Sequence, residues 1–157
     1  MKKWIISVIV IVLFFTGILI KVYVKAQEPI NSAEKKAVAL AKKTVAIKEV
    51  DDFHVYHGND TVNVIEGKAN NGEKMIVWIP EKTKQVIVRK AKSGLTKQQA
   101  INKLLKEKNP EKIISVRLGM EKNIPLWEIY YRSKNNLINY YYIQFDTGEW
   151  LKKIENF

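Results

Sequence analysis

The chain of 157 residues contains no cysteine. That absence removes thiol nucleophiles, thiolate metal sites and thiol redox chemistry together. It also means that an exported chain of this length is held by apolar burial rather than by disulfides, which suits a bacterial protein. Histidines number two, His54 and His57. With Asp51, Asp52 and Asp60 they form the one cluster of metal-ligating residue types, but strand residues three apart point to opposite faces. The pair therefore reads as a solvated strand end, and no metal is expected. The seven glycines are scattered among turns, so no Gly-rich loop is available to cradle a phosphate. Ser93 sits in Lys92-Ser93-Gly94 without the flanking glycines of a nucleophile elbow. The sequence does not set the carboxylates of Asp51-Asp52, or of Glu66 and Glu73, at a spacing for acid–base work. The expectation is a protein with no catalytic residues and no cofactor, and not an enzyme.

Acidic residues are missing from the first 27 positions. Lys2-Lys3 precedes an uncharged, largely apolar run from Trp4 to Ile20, followed by Lys21, Val22-Tyr23-Val24 and Lys25. As a helix, Trp4–Val24 spans about 30 Å, the thickness of a hydrocarbon core. Lys21 can snorkel to the headgroups, and Trp4 and Tyr23 stand where amphipathic rings are favoured. The expectation is a retained single span with Trp4, Ile20 and Val24 inside it. A signal peptide cleaved after Ala26 is the competing reading, disfavoured by the length of the run and by the lysines around the cleavage region. Both readings place residues 27–157 outside the cytoplasm.

Basic residues outnumber acidic ones by 27 to 16, for a net charge of +11. Four of the lysines flank the span, which leaves 23 basic and all 16 acidic residues, a net +7, on the exported part. Such a field would attract anionic headgroups and anionic wall polymers, but the favoured reading is a lysine-rich solvated surface, and charge alone names no partner. Nucleic acid is not expected as a partner, because the anchor holds the basic surface on the wrong side of the membrane.

The exported part repeats a pattern. Asn31 or Ser32, with Glu34, begins an amphipathic helix carrying Ala37, Leu40 and Ala41 on its apolar face. Thr96-Lys97-Gln98-Gln99 is a capping box that begins a second, with Ile101, Leu104 and Leu105 in the matching places; Pro110 ends it. Each helix is followed by four strand-like runs: 52–57, 61–67, 74–80 and 85–90, then 113–118, 126–132, 139–145 and 150–154. Turn sequences such as Asn70-Asn71-Gly72, Lys134-Asn135-Asn136 and Asp146-Thr147-Gly148 separate them. The fold class expected is α+β, with a transmembrane helix and then two tandem small domains, each one helix on an antiparallel sheet. The divisions are 1–26 for the cytoplasmic tip and anchor, 27–92 for the first domain and 93–157 for the second. Trp127, Ile129, Tyr131, Tyr141, Ile143 and Phe145 should face the second helix. Tyr130, Arg132, Tyr140 and Tyr142 then fall on the other face, a candidate partner-facing patch, unless those rings pack against the first module.

Thr96-Lys97-Gln98-Gln99-Ala100-Ile101 and Phe145-Asp146-Thr147-Gly148-Glu149-Trp150 resemble the two ends of a PepSY-type module. A lysine-flanked anchor followed by two such modules resembles the TseB-like (YpmB) family of Gram-positive membrane proteins along the whole chain. The first module departs from the pattern, with Pro80-Glu81-Lys82-Thr83-Lys84-Gln85 where the glycine turn should stand. The resemblance implies two cystatin-like domains at the outer face of the cell membrane. It also implies a non-catalytic role in peptidoglycan elongation through a class B penicillin-binding transpeptidase. An inhibitory or ligand-binding module, acting on a peptidase or on anionic wall polymer, is the alternative.

Overall fold

In the computed structural model, which describes residues 2–134 and 136–154, the chain opens with a single helix, α1, Lys2–Val45. Pro29 lies inside it. The expected restart at Asn31 or Ser32 does not occur, because a proline removes one intrahelical bond whereas ending and restarting a helix orphans four backbone groups at each new end. The chain divides into two compact units, Met1–Lys36 and Ala37–Phe157. In the first, Trp4, Ile20 and Val24 lie on α1 with exposed side chains. Among the described residues α1 is the one helix long and apolar enough to cross a membrane, and a signal sequence passes the same test.

The second unit carries two four-stranded antiparallel sheets, each a simple meander. The first orders β1 (Ile47–His57), β2 (Thr61–Ala69), β3 (Lys74–Pro80) and β4 (Ile87–Lys90). A 3-10 turn over Ala91–Ser93 leads to helix α2, Lys97–Glu107. Its start is the expected capping box: the Gln99 backbone N–H donates to the Thr96 hydroxyl, and the Thr96 backbone N–H donates to the Gln99 side chain. The second sheet orders β5 (Lys112–Glu121), β6 (Ile124–Arg132), β7 (Ile138–Gln144) and β8 (Trp150–Ile154). β5 and β6 are longer than the sequence suggests because they meet in a two-residue turn, Lys122-Asn123. Both residues take positive φ, 49° and 64°, the type I′ geometry that matches strand twist. In the Lys134-Asn135-Asn136 turn, Asn135 lies outside the described residues.

The first sheet is buried on both faces. Ile65, Val77 and Ile79 form one apolar cluster with Ala37 and Ala41 from the end of α1. Val62, Val64, Ile76 and Trp78 point the other way, into a larger cluster that includes the second sheet and α2. The two sheets therefore share a core. Ala100 and Leu104 are the fully buried residues of α2. Leu105, expected to face inward, is exposed; it lies about 100° round the helix from Leu104. Trp127, Ile129, Tyr131, Tyr141, Ile143 and Phe145 are all buried, as their alternation along β6 and β7 implies.

Several contacts join the two halves of this unit at named atoms. Trp78 meets Phe145 edge-on, with ring centroids 5.4 Å apart. His54 Nε2 lies 2.9 Å from the Leu118 carbonyl oxygen, to which it donates. Arg89 Nε donates to the Asp146 carboxylate at 2.9 Å and 3.2 Å. Two glycines allow the approach. A Cβ on Gly119 would sit 2.5 Å from the Tyr56 ring, and one on Gly94 would sit 2.2 Å from Phe145. Gly119→Ala is expected to destabilise the fold by about 1–3 kcal/mol through overpacking. Tyr56→Phe should leave stability unchanged or raise it, since the Tyr56 hydroxyl is buried without a hydrogen-bond partner. Thermal unfolding of both variants checks this, and a Gly119→Ala protein as stable as the parent would contradict the packing described.

Candidate binding surface

Across β6 and β7, Tyr130 stands directly opposite Tyr140, and Glu128 opposite Tyr142. Directly opposed residues share a face, so this register gathers three rings on one side of the second sheet. Tyr130 and Tyr140 stack with centroids 4.8 Å apart, and Tyr140 and Tyr142 stack at 6.3 Å. Lys152, paired with Tyr142 across β7 and β8, holds its ammonium 4.7 Å from the Tyr142 ring centroid. The result is a row of three rings closed at one end by a cation, an arrangement that a cation–π contact strengthens.

An ion pair lies beside the row, on the same face. Arg117 faces Glu128 across β5 and β6 and donates from Nε to the carboxylate at 2.7 Å. Glu128 is only 3% exposed. Arg117 also stacks over Tyr56, its guanidinium carbon 5.4 Å from the ring centroid. Burial, and then the nearby Glu128 carboxylate, push both the Tyr56 and the Tyr142 hydroxyls above the ordinary phenol range. Both rings therefore stay neutral at physiological pH.

A cleft of about 530 Å³ opens over the rings, lined by His57, Arg117, Tyr130, Ile138, Tyr140 and Ile154 among others. A second, of about 300 Å³, lies between Asn59, Lys122 and Leu151. Tyr142 borders both. The structure thus brings together Tyr130, Tyr140 and Tyr142, but it does not leave them equally open. Tyr130, Tyr140 and Arg132 are half-buried, whereas Tyr142, stacked beside Tyr140 on the same face, is 5% exposed. Trp78, on β3, is fully buried.

Alternation along β6 already sets Glu128 on this face, but sequence reasoning misses Tyr56, His57, Arg117 and Lys152 as members of the surface. The signal for Arg117 and Glu128 was the Lys122-Asn123 turn, whose two-residue length sets them opposite each other. His54 and His57 part company: His54 binds the Leu118 carbonyl and lies 3.3 Å from Asp52, while His57 is exposed at the cleft. Among the described residues, no three His, Asp or Glu side chains converge to hold a metal ion.

A leading apolar helix and paired meander sheets define an α+β protein of the double-module, N-terminally helical class. Comparison with known proteins narrows this. Residues 36–80 match the family described as "Cell wall elongation regulator TseB-like domain". The chain is 28% identical over 157 residues to "Probable cell wall elongation regulator TseB" of Bacillus subtilis (strain 168), covering 98% of each. It superposes on the solved "YpmB protein from Bacillus subtilis" with a TM-score of 0.73 and 30% identity, over 77% of this chain and 95% of that one. The chain belongs to the TseB-like family.

Removing Arg117 leaves the buried Glu128 carboxylate without its counter-charge, which is the expensive way to break a buried pair. Arg117→Ala is expected to cost about 3 kcal/mol, near the low end for such a break because Arg117 itself is partly solvated. Denaturant unfolding at neutral pH checks it. A loss within a few tenths of a kcal/mol would show the pair to be ornamental.

Proposed function

We propose that this protein is a membrane-anchored, extracytoplasmic, non-catalytic regulator of cell-wall elongation. It acts by docking its tyrosine surface onto a class B penicillin-binding transpeptidase. The family supports the process, since the Bacillus subtilis relative carries the name of a probable cell wall elongation regulator. The observation that carries the docking step is the row of Tyr130, Tyr140 and Tyr142 beside the Arg117–Glu128 ion pair. Half-buried tyrosines with arginine beside them are the composition of interface cores. In this reading residues 1–26 form the tip and anchor, residues 27–92 the first module and residues 93–157 the second. Holding α1 in the same bilayer as the transpeptidase raises the effective concentration of one for the other, so a weak surface suffices.

The test is co-purification of the full chain with the transpeptidase from detergent-solubilised membranes. Tyr130→Glu with Tyr140→Glu is expected to reduce recovery at least tenfold while the melting temperature stays within a few degrees. Tyr142→Glu should instead unfold the second sheet, because that ring is buried. Exchanging residues 1–26 for a cleavable signal should release the protein and abolish its effect on elongation. Undiminished recovery with the double variant would end the docking reading, and full activity of the released form would end the tethering argument.

A further inference from the structure

The chain has three arginines, Arg89, Arg117 and Arg132. Arg89 is paired with Asp146 and Arg117 with Glu128. Arg132 has no carboxylate partner among the described residues, and its Nε is buried without a hydrogen-bond acceptor. Glu128, its nearest acid in sequence, is paired with Arg117, and Glu111, just before β5, meets Arg132 through a backbone N–H that donates to the Arg132 carbonyl. The residue directly opposite Arg132 on β5 is Lys112, exposed and likewise unpaired. Like charges set directly opposite each other across strands destabilise a sheet. A buried guanidinium nitrogen without an acceptor adds a desolvation cost. Two unfavourable features thus coincide at one place.

That place is the end of the tyrosine row. Arg132 follows Tyr130 by two positions on β6 and so shares its face. Its partner on β7 is Ile138, which lines the larger cleft beside Tyr130 and Tyr140. We propose that Arg132 and Lys112 form a carboxylate-recognising end to this surface, taking an acidic side chain of the partner protein whose apolar neighbours lie along Tyr130, Tyr140 and Ile138. The inference rests on the docking reading above and specifies its chemistry. An acidic protein segment fits better than a polyanion. The planar guanidinium matches a carboxylate two-pronged, and the adjoining cleft wall is aromatic and aliphatic rather than a run of lysines.

The test uses the full chain in nanodiscs of zwitterionic lipid and three probes: a labelled hexapeptide of alternating glutamate and leucine, its glutamine–leucine isostere, and polyphosphate. Anisotropy should show the glutamate peptide binding at least tenfold tighter than the isostere. Arg132→Gln and Lys112→Gln should each weaken it at least threefold, with Lys97→Gln on α2 leaving it unchanged. Lys112→Glu places a carboxylate opposite Arg132 and should both block the peptide and raise the melting temperature. Equal binding of peptide and isostere would overturn the inference. So would polyphosphate binding that outcompetes the peptide and falls equally in all three glutamine variants, the mark of a generic cationic surface. Transpeptidase recovery lost in the Tyr130/Tyr140 double variant but unaffected by Arg132→Gln would sink the carboxylate site alone. Persistent peptide discrimination without any transpeptidase recovery would sink that partner and keep the site.

Discussion

The structure depends on the meeting of two sheets that are each too small to stand alone. A module of about 60 residues buries too little of its surface for comfortable stability, and one helix on one face of a sheet does not close the deficit. Here the first sheet is covered on both sides, by the end of α1 on one and by the second sheet on the other. Tyr56 is central to that contact. Its ring lies against Gly119 where any Cβ would collide, and it receives Arg117 on its face. The Trp78–Phe145 contact and the Arg89–Asp146 pair tie the two sheets together elsewhere. The second of these gives the Asp146-Thr147-Gly148 turn a structural duty: its aspartate reaches back to β4 of the preceding module.

The same contact explains why the surface has the form it does. A sheet with a helix on one side would normally leave its other side to solvent. Because the first sheet overlies part of that side, Glu128 and Tyr142 become buried while Tyr130, Tyr140 and Arg132 remain partly open. The rings are thus anchored at the buried end and available at the other. Anchoring matters for recognition, since a side chain already held by stacking loses little rotamer freedom on binding. It also raises the Tyr142 hydroxyl above the ordinary phenol range, first through burial and then through the adjacent carboxylate.

Much of this was legible in the residues. Short β-rich runs bounded by turn residues placed β3, β7 and β8 nearly to the residue, and the Thr96–Gln99 capping box placed the start of α2. The doubling of the unit followed from the repeated order of elements. What failed did so where local patterns lose to longer-range terms. Pro29 and Asn31 look like the edge of a helix, yet α1 continues through them. Leu105 has an apolar side chain at a plausible position, but the angle of α2 on its sheet selects Ala100 and Leu104. The tyrosine row was visible as an alternating face, whereas its split into supporting and open rings was not. That split is decided by Tyr56, distant in sequence from β6 and β7, and alternation within one strand carries no information about what a different module lays over it.

The charges show the same division between what a sequence lists and what a fold arranges. A surplus of basic residues implies only a general affinity for anions. In the fold many of those charges have duties. Glu73 holds both Lys90 and Lys92, which keep its carboxyl below the usual range, while Lys68 pairs with Glu49 and Asp51. Arg89 and Arg117 join elements through paired carboxylates. Against that background Arg132 and Lys112 stand out through position: two cations face each other across neighbouring strands, at the end of an aromatic row, with no ion-paired acid between them among the described residues. A fold selected only for stability has easy ways to relieve this, since a glutamate at position 112 would turn a repulsion into a cross-strand pair. A repulsion that so small a change would remove is best understood as half of an interaction, the other half being supplied by whatever binds there.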